Sequence, residues 1–301
     1  MASVTRHILD TCNPPAGASL NVFQKWLLIT RACVFSMTLV AALIGVLLAL
    51  RDGAFAWPPA VLVTLGLVLA HAANNVLNDL LDYRSGVDTA DYHRVQYSLH
   101  PLHAGLTTQR GLLGAFVLFT ALDFLILLYC VSLQGPGVVV FAAAGLAISV
   151  FYVGGTHALK FIGLGELAVF LVWGPLMVGG TYYVMHGVLP GSVVLASLPY
   201  ALLVTTVIMG KHVDKLAADR AKGIRTLPVL LGERRALAAV RVMIGVFFAG
   251  VAVEAATGVL PPASALALLA LPRARRVWCA LSAPRPAAPP SDWPIWPLWY
   301  V

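Results

Sequence analysis

The strongest constraint on this chain is a succession of apolar runs, each about as long as a bilayer-spanning helix. They occupy about residues 26–50, 59–82, 111–131, 136–155, 164–186, 191–213, 236–257 and 260–281. A helix needs roughly 20 mostly apolar residues to cross the hydrocarbon core. In lipid every backbone N–H and C=O must be satisfied inside the protein, which leaves helices or closed barrels. The runs are too long and too uniform for strands. The expected fold class is all-α, a polytopic transmembrane helical bundle of eight spans. Pro272 and three arginines interrupt the last of them. Charge content agrees: 11% of residues are charged, against about 25% in an average soluble domain.

Lys and Arg fix the expected topology. With the N-terminus and the even-numbered loops on one side, 20 Lys and Arg residues are to be placed, and only Arg51 falls on the opposite side. Positive residues crowd the cytoplasmic side, so the net charge of +7 marks loops rather than a nucleic-acid partner. The expectation is one membrane domain over 1–301, with a cytoplasmic N-terminal segment at 1–24 and a bacterial inner-membrane location. Residues 1–24 lack the apolar core of a secretory signal peptide. The tail at 284–301 is rich in Pro and Trp and ends Trp296-Pro297-Leu298-Trp299-Tyr300-Val301. Such aromatics belong at a membrane interface; the tail reads as the first turn of a ninth, truncated helix, or as an amphipathic end. Cys12, Cys33, Cys130 and Cys279 are scattered without a CxxC pair, so neither a disulfide framework nor a zinc site is expected.

Acidic residues gather in two segments. In the first, Asn75, Asp79 and Asp82 stand at i, i+4 and i+7, on one helical face. Asn78 lies beside them, and Asp88 and Asp91 follow in the loop. Ionisable groups at membrane depth are costly and mark function. Several carboxylates and an amide oxygen on one face suit a hard cation such as Mg²⁺, which bridges carboxylates to phosphates. A solvated helix end would explain one Asp but not three acceptors in register. In the second segment, Asp214 and Asp219 are five apart, about 140° around a helix, whereas Lys211, Lys215 and Asp219 form a stripe. A basic cytoplasmic loop accounts for the lysines but not the aspartates. Facing one another, the two segments could hold metal ions that clamp a diphosphate, with Arg31, Lys160, Lys211 and Arg225 neutralising the rest. Arg31 interrupts an apolar run and would either join such a site or snorkel to the surface. His71, His93, His100, His103 and His212 show no paired ligand geometry and read as loop and interface residues. Glu166 reads as charge at a helix N-terminus or as an acceptor contact.

The stretch Asn75-x-x-x-Asp79-x-x-Asp82, and the stretch Asp214 to Asp219 continuing Arg220-x-x-Gly223-x-x-Thr226-Leu227-Pro228, resemble the two signatures of the UbiA superfamily of intramembrane prenyltransferases. Tyr152 with Lys160 resembles that family's diphosphate-contacting loop, and Arg31 falls where the family carries a first-helix Arg. Residues 82–91 and 163–183 further resemble the 1,4-dihydroxy-2-naphthoate prenyltransferase branch of menaquinone synthesis. The resemblance implies nine helices. It implies Mg²⁺ on Asn75, Asp79, Asp82, Asp214 and Asp219, and catalytic roles for Asp79, Asp82 and Asp219. It also implies diphosphate contacts from Arg31, Tyr152, Lys160, Lys211 and Arg225, with Asn78 and Asp88 as additional candidates. The implied partners are a polyprenyl diphosphate, an aromatic acceptor and the lipid bilayer. Other acceptors of the superfamily are 4-hydroxybenzoate, homogentisate, chlorin or lipid. One departure matters: aligned on Asp219, the family's first Asp falls at Lys215. A transporter is the rival of another class, but transporters place polar groups at the bilayer midplane, and these segments lie at helix ends.

Overall fold

The computed structural model describes residues 2–90, 98–155 and 158–283. Asp91, His93, the tail at 284–301 and the ninth helix expected there lie outside the described residues. Helix α1 (Ala2–Thr11) leads to α2 (Val22–Ile29) and, through a 3-10 turn at Ala32–Val34, to α3 (Phe35–Arg51). Two long helices follow, α4 (Trp57–Arg84) and α5 (Gln109–Gln134), then α6 (Gly137–Val153). Next come α7 (Gly165–Leu171), α8 (Met177–His186) and α9 (Gly191–Asp214). The chain continues through α10 (Leu216–Ala221), α11 (Leu227–Leu231), α12 (Glu233–Ala256) and α13 (Leu271–Ser282).

The all-helical expectation holds among the described residues, with a different division of spans. Six stretches there are long and apolar enough to cross a bilayer: Ala32–Arg51, Trp57–Arg84, Gln109–Gln134, Gly165–His186, Gly191–Asp214 and Glu233–Ala256. Helix α6 is apolar but has 17 residues. The eighth expected run, 260–281, divides into a 3-10 segment at Pro262–Ala270 and the amphipathic α13. Pro262 and Pro272 both lack the N–H a continuous helix needs. In α13, Ala274, Val277 and Leu281 pack against α9 and α12, while Arg273, Arg275 and Arg276 are exposed. The run at 164–186 is also irregular, because Pro175 sits in a π-helical turn at Val172–Leu176.

Lipid-facing and core-facing surfaces differ as a bilayer demands. On α5 only 11% of the most apolar window is buried, and Val117, Leu118, Leu125 and Leu128 point outward. Between membrane helices, small residues bring backbones together. A Cβ on Gly45 of α3 would lie 2.6 Å from the Val178 carbonyl oxygen on α8. Overpacking of this kind costs about 1–3 kcal/mol, so Gly45→Val is expected to lower the thermal midpoint in detergent; an unchanged midpoint contradicts this packing.

At the opposite end from the acidic segments, the Asp52 carboxylate accepts hydrogen bonds from Arg51 (2.7 and 3.0 Å) and from Tyr182 Oη (2.8 Å). The Arg51 bonds hold Asp52 below its usual 3.8, against partial burial, with Tyr182 helping. A carboxyl depressed on folding stabilises above its unfolded value and loses that contribution as pH falls through the folded one. The midpoint difference between the parent chain and Asp52→Asn is therefore expected near neutrality and to shrink below about pH 4; a pH-independent difference contradicts it.

The cysteine expectation is corrected. Cys12 and Cys33 form a disulfide with Cα atoms 5.4 Å apart, joining the end of α1 to the turn before α3. Sequence spacing gave no sign of it, because α1 folds back beside that turn only in three dimensions.

Candidate active site

The first acidic segment lies in the last three turns of α4. Asn75, Asp79 and Asp82 are buried, with Asp79 fully so. Their helix ends at Ser85, where Gly86 takes a positive φ of 72° and the Val87 and Asp88 amides return to the Asp82 carbonyl. That turn brings Asp88 back under α4. His103 Nε2 lies 2.7 Å from the Asp88 carbonyl oxygen, and His100 Nε2 is 3.4 Å from its carboxylate. Ligand atoms of Asp79, Asp88 and His100 lie within 4.8 Å of one another, a second candidate cation cluster among the described residues.

Arg31 faces this segment. Asn21 and Gln24 form a reciprocal cap that starts α2, and the helix stops where Arg31 takes φ +55°. A non-glycine residue there is uncommon and marks strain held by other contacts. The Arg31 guanidinium pairs with Asp79, and Asn75 Nδ2 donates to the Thr30 carbonyl at 2.9 Å. The snorkelling alternative is therefore set aside, since Arg31 reaches inward.

Lys160 enters from the 3-10 turn at Leu159–Phe161. Its Nζ donates to both Asp82 carboxylate oxygens at 2.6 and 2.7 Å and to Asn78 Oδ1 at 2.7 Å. Asn78 Nδ2 in turn donates to Asp82 at 3.0 Å. Gly165 lets α7 approach this turn: a Cβ there would lie 3.1 Å from Lys160 Cα and 3.4 Å from the Tyr152 ring. Burial pushes the Lys160 ammonium below the usual lysine range, and Asp82 opposes that shift.

The second acidic segment is broken at Lys215, which ends α9 and precedes α10. Asp219 is fully buried, with Lys215 Nζ 3.9 Å from its carboxylate. The Arg225 amide donates to the Phe161 carbonyl at 3.0 Å, and Lys222 Nζ donates to the Val87 carbonyl and Thr89. These bonds tie the loop carrying Asp219 to the Lys160 turn and to the end of α4.

All of this opens into one cavity of about 630 Å³. Its polar end is lined by Arg31, Asn75, Asn78, Asp82, Asp88, Tyr152, Lys160, Lys211 and Asp219. Asp79 lies just behind that lining, on Arg31. Three sequence candidates, Asp79, Asp214 and Arg225, are not among the wall residues, and the Arg225 side chain is exposed. Lys215 lines the cavity instead, at the position aligned with the family's first Asp.

The histidines expected in loops and at interfaces divide: His100 lies in the loop between α4 and α5, whereas His71 and His212 lie within α4 and α9. His71, His100 and His212 are buried. His71 Nδ1 lies 2.8 Å from Thr38 Oγ1, and its ring meets Trp173 edge-on. His212 Nδ1 lies 2.6 Å from Glu166 Oε1, so Glu166, in the first turn of α7 as expected, is also a buried partner of His212. No spacing in the sequence relates residues 46 apart. Asp123, a lone acid inside α5, also lines the cavity, and its place in an apolar run was a readable signal.

Fold and site together define a polytopic helical protein that gathers carboxylates and cations at one end of an apolar intramembrane cavity. The chain belongs to the UbiA prenyltransferase family, a model of which matches residues 38–291. It is 29% identical over 213 residues to UbiA prenyltransferase domain-containing protein 1 of Ailuropoda melanoleuca, covering 69% of this chain and 61% of that protein. It is 27% identical over 216 residues to the 1,4-dihydroxy-2-naphthoate octaprenyltransferase of Escherichia coli (strain K12), covering 70% of this chain and 69% of that one. The fold matches a UbiA homolog from Archaeoglobus fulgidus bound to GPP and Mg²⁺, with a TM-score of 0.64 at 17% identity, covering 88% of this chain and 91% of that one. The apo UbiA homolog from Aeropyrum pernix K1 also has a TM-score of 0.64, at 19% identity, covering 87% and 89%.

Proposed function

We propose that this chain transfers a polyprenyl group from its diphosphate to an aromatic acceptor within the membrane, in an Mg²⁺-dependent reaction. The acceptor proposed is 1,4-dihydroxy-2-naphthoate, as in menaquinone synthesis. The observation that carries the reading is the cavity itself: buried carboxylates and cations at one end, apolar walls beyond. A prenyl diphosphate has the same polarity, with an anionic head and an apolar tail. The name of the Escherichia coli relative supports the acceptor, and the GPP and Mg²⁺ bound to the Archaeoglobus fulgidus homolog support the donor and metal. One membrane domain is proposed, in a bacterial inner membrane, with the polar end of the cavity facing the cytoplasm.

The donor set fits Mg²⁺, which takes oxygen ligands from carboxylates and substrate phosphates. The Asn75 amide nitrogen is engaged by Thr30, leaving its oxygen for a cation. Asn75, Asp79, Asp82 and Asp219 would hold the metal, with Asp88 as an additional ligand. Bound there, Mg²⁺ supplies charge to a departing diphosphate. Arg31, Lys160 and Lys211 would contact diphosphate oxygens, and their stabilisation grows as the C–O bond breaks and charge moves onto the leaving group. Tyr152 lies beside the Lys160 turn and would orient it. Apolar walls keep water from the allylic cation, which the electron-rich ring attacks; in the naphthoate case the ring then loses carbon dioxide. Mass spectrometry of products from membranes given one prenyl diphosphate and a panel of aromatic acceptors tests this. A prenylated, decarboxylated naphthoate is expected; a product formed from another ring alone overturns the acceptor assignment.

A further inference from the structure

The diphosphate reading leaves a half-buried acid of the cavity wall, Asp123, unused. Asp123 sits in the middle of α5 and lines the cavity far from its polar end. Its Oδ1 reaches the α4 backbone where Gly66 leaves room: a Cβ on Gly66 would lie 2.9 Å from that oxygen. Around it the wall is mostly apolar, formed by Val63, Leu67, Ile126 and Leu127, with Thr120 one turn before it. No hydrogen bond links Asp123 to another described residue. A carboxyl covered by apolar atoms without a hydrogen-bond partner is costly, so whatever lies against it in the cavity matters.

Depth gives this acid a consequence. From Asp82 to Gly66 is 16 residues of α4, about 24 Å at the helical rise. An isoprene unit adds four chain bonds of about 1.5 Å, or roughly 5 Å when extended. The fifth unit of a tail whose diphosphate lies at Asp82 thus reaches the level of Asp123. Phe124, next to Asp123 on α5, and Leu146 on α6 line the same cavity and are exposed on the outer surface. An apolar chain lying against Asp123 expels water without replacing the hydrogen bonds.

We infer that Asp123 is a specificity determinant that disfavours donors whose tail extends beyond about five isoprene units. This sets the chain apart from the relative named for an octaprenyl tail. The inference rests on the diphosphate lying at Asp82 and Lys160. Its test is kcat/KM for diphosphate donors of two, four and eight isoprene units, using the full chain in lipid nanodiscs. Asp123→Leu is expected to raise the eight-unit to two-unit ratio roughly tenfold or more, with two-unit turnover unchanged, which also reports intact folding. Asp123→Asn, still polar, is expected to fall between. An unchanged ratio overturns the inference, as does an equal loss with every donor, which would assign Asp123 to folding or proton transfer. Two-unit turnover retained in Asp82→Ala would displace the diphosphate itself, a distinguishable failure that removes the origin of the depth scale.

Discussion

Asp82→Ala is expected to lower prenyl transfer by at least roughly 10²–10³-fold, the loss typical when a preorganised electrostatic contact to a developing charge is removed. The same substitution strands the Lys160 ammonium, which donates to both Asp82 oxygens in a buried site. Breaking a buried pair from one side costs about 3–5 kcal/mol, so loss of activity alone would not separate chemistry from folding. The double variant Asp82→Ala/Lys160→Met removes both charges and is expected to recover most of the thermal midpoint but none of the turnover. Non-additivity of that kind is the mark of groups in contact. If the double variant regained activity, the pair would be a packing feature rather than part of the site.

The second large effect separates two aspartates that the sequence presents as a pair. Asp219 is fully buried on the cavity wall, whereas Asp214 does not line it. Asp219→Asn is therefore expected to cut turnover by about 10²-fold or more and to raise the Mg²⁺ concentration needed for half-maximal rate. Asp214→Ala should stay within roughly threefold of the parent chain in turnover, because Asp214 does not line the cavity. The reverse order in a magnesium titration would assign the metal to Asp214 and make the break at Lys215 a way of turning it inward.

What could be read from the sequence follows its physical range. Apolar runs and the Asn75, Asp79, Asp82 register are local, one-helix properties, and both survive in the structure. The divisions within spans were less legible, because they depend on what a break gains in three dimensions. Arg31 accepts a left-handed backbone in order to meet Asp79, 48 residues away. The Cys12–Cys33 bond, the His212–Glu166 pair and the Arg225 amide on Phe161 likewise join distant segments. Arg225 shows the limit well: its position was singled out, but its backbone rather than its side chain ties the site together. Asp123 was legible as an acid in an apolar run, yet a tally of positive charge by side passes over it.

The central claim is that the polar end of the cavity binds a diphosphate together with Mg²⁺. Equilibrium binding of geranyl diphosphate to the purified chain in nanodiscs, without acceptor, tests it most directly. Saturable binding with Mg²⁺ is predicted, abolished by a chelator and by Asp82→Ala/Lys160→Met. Equal affinity with and without the metal, or undiminished binding to the double variant, would contradict it.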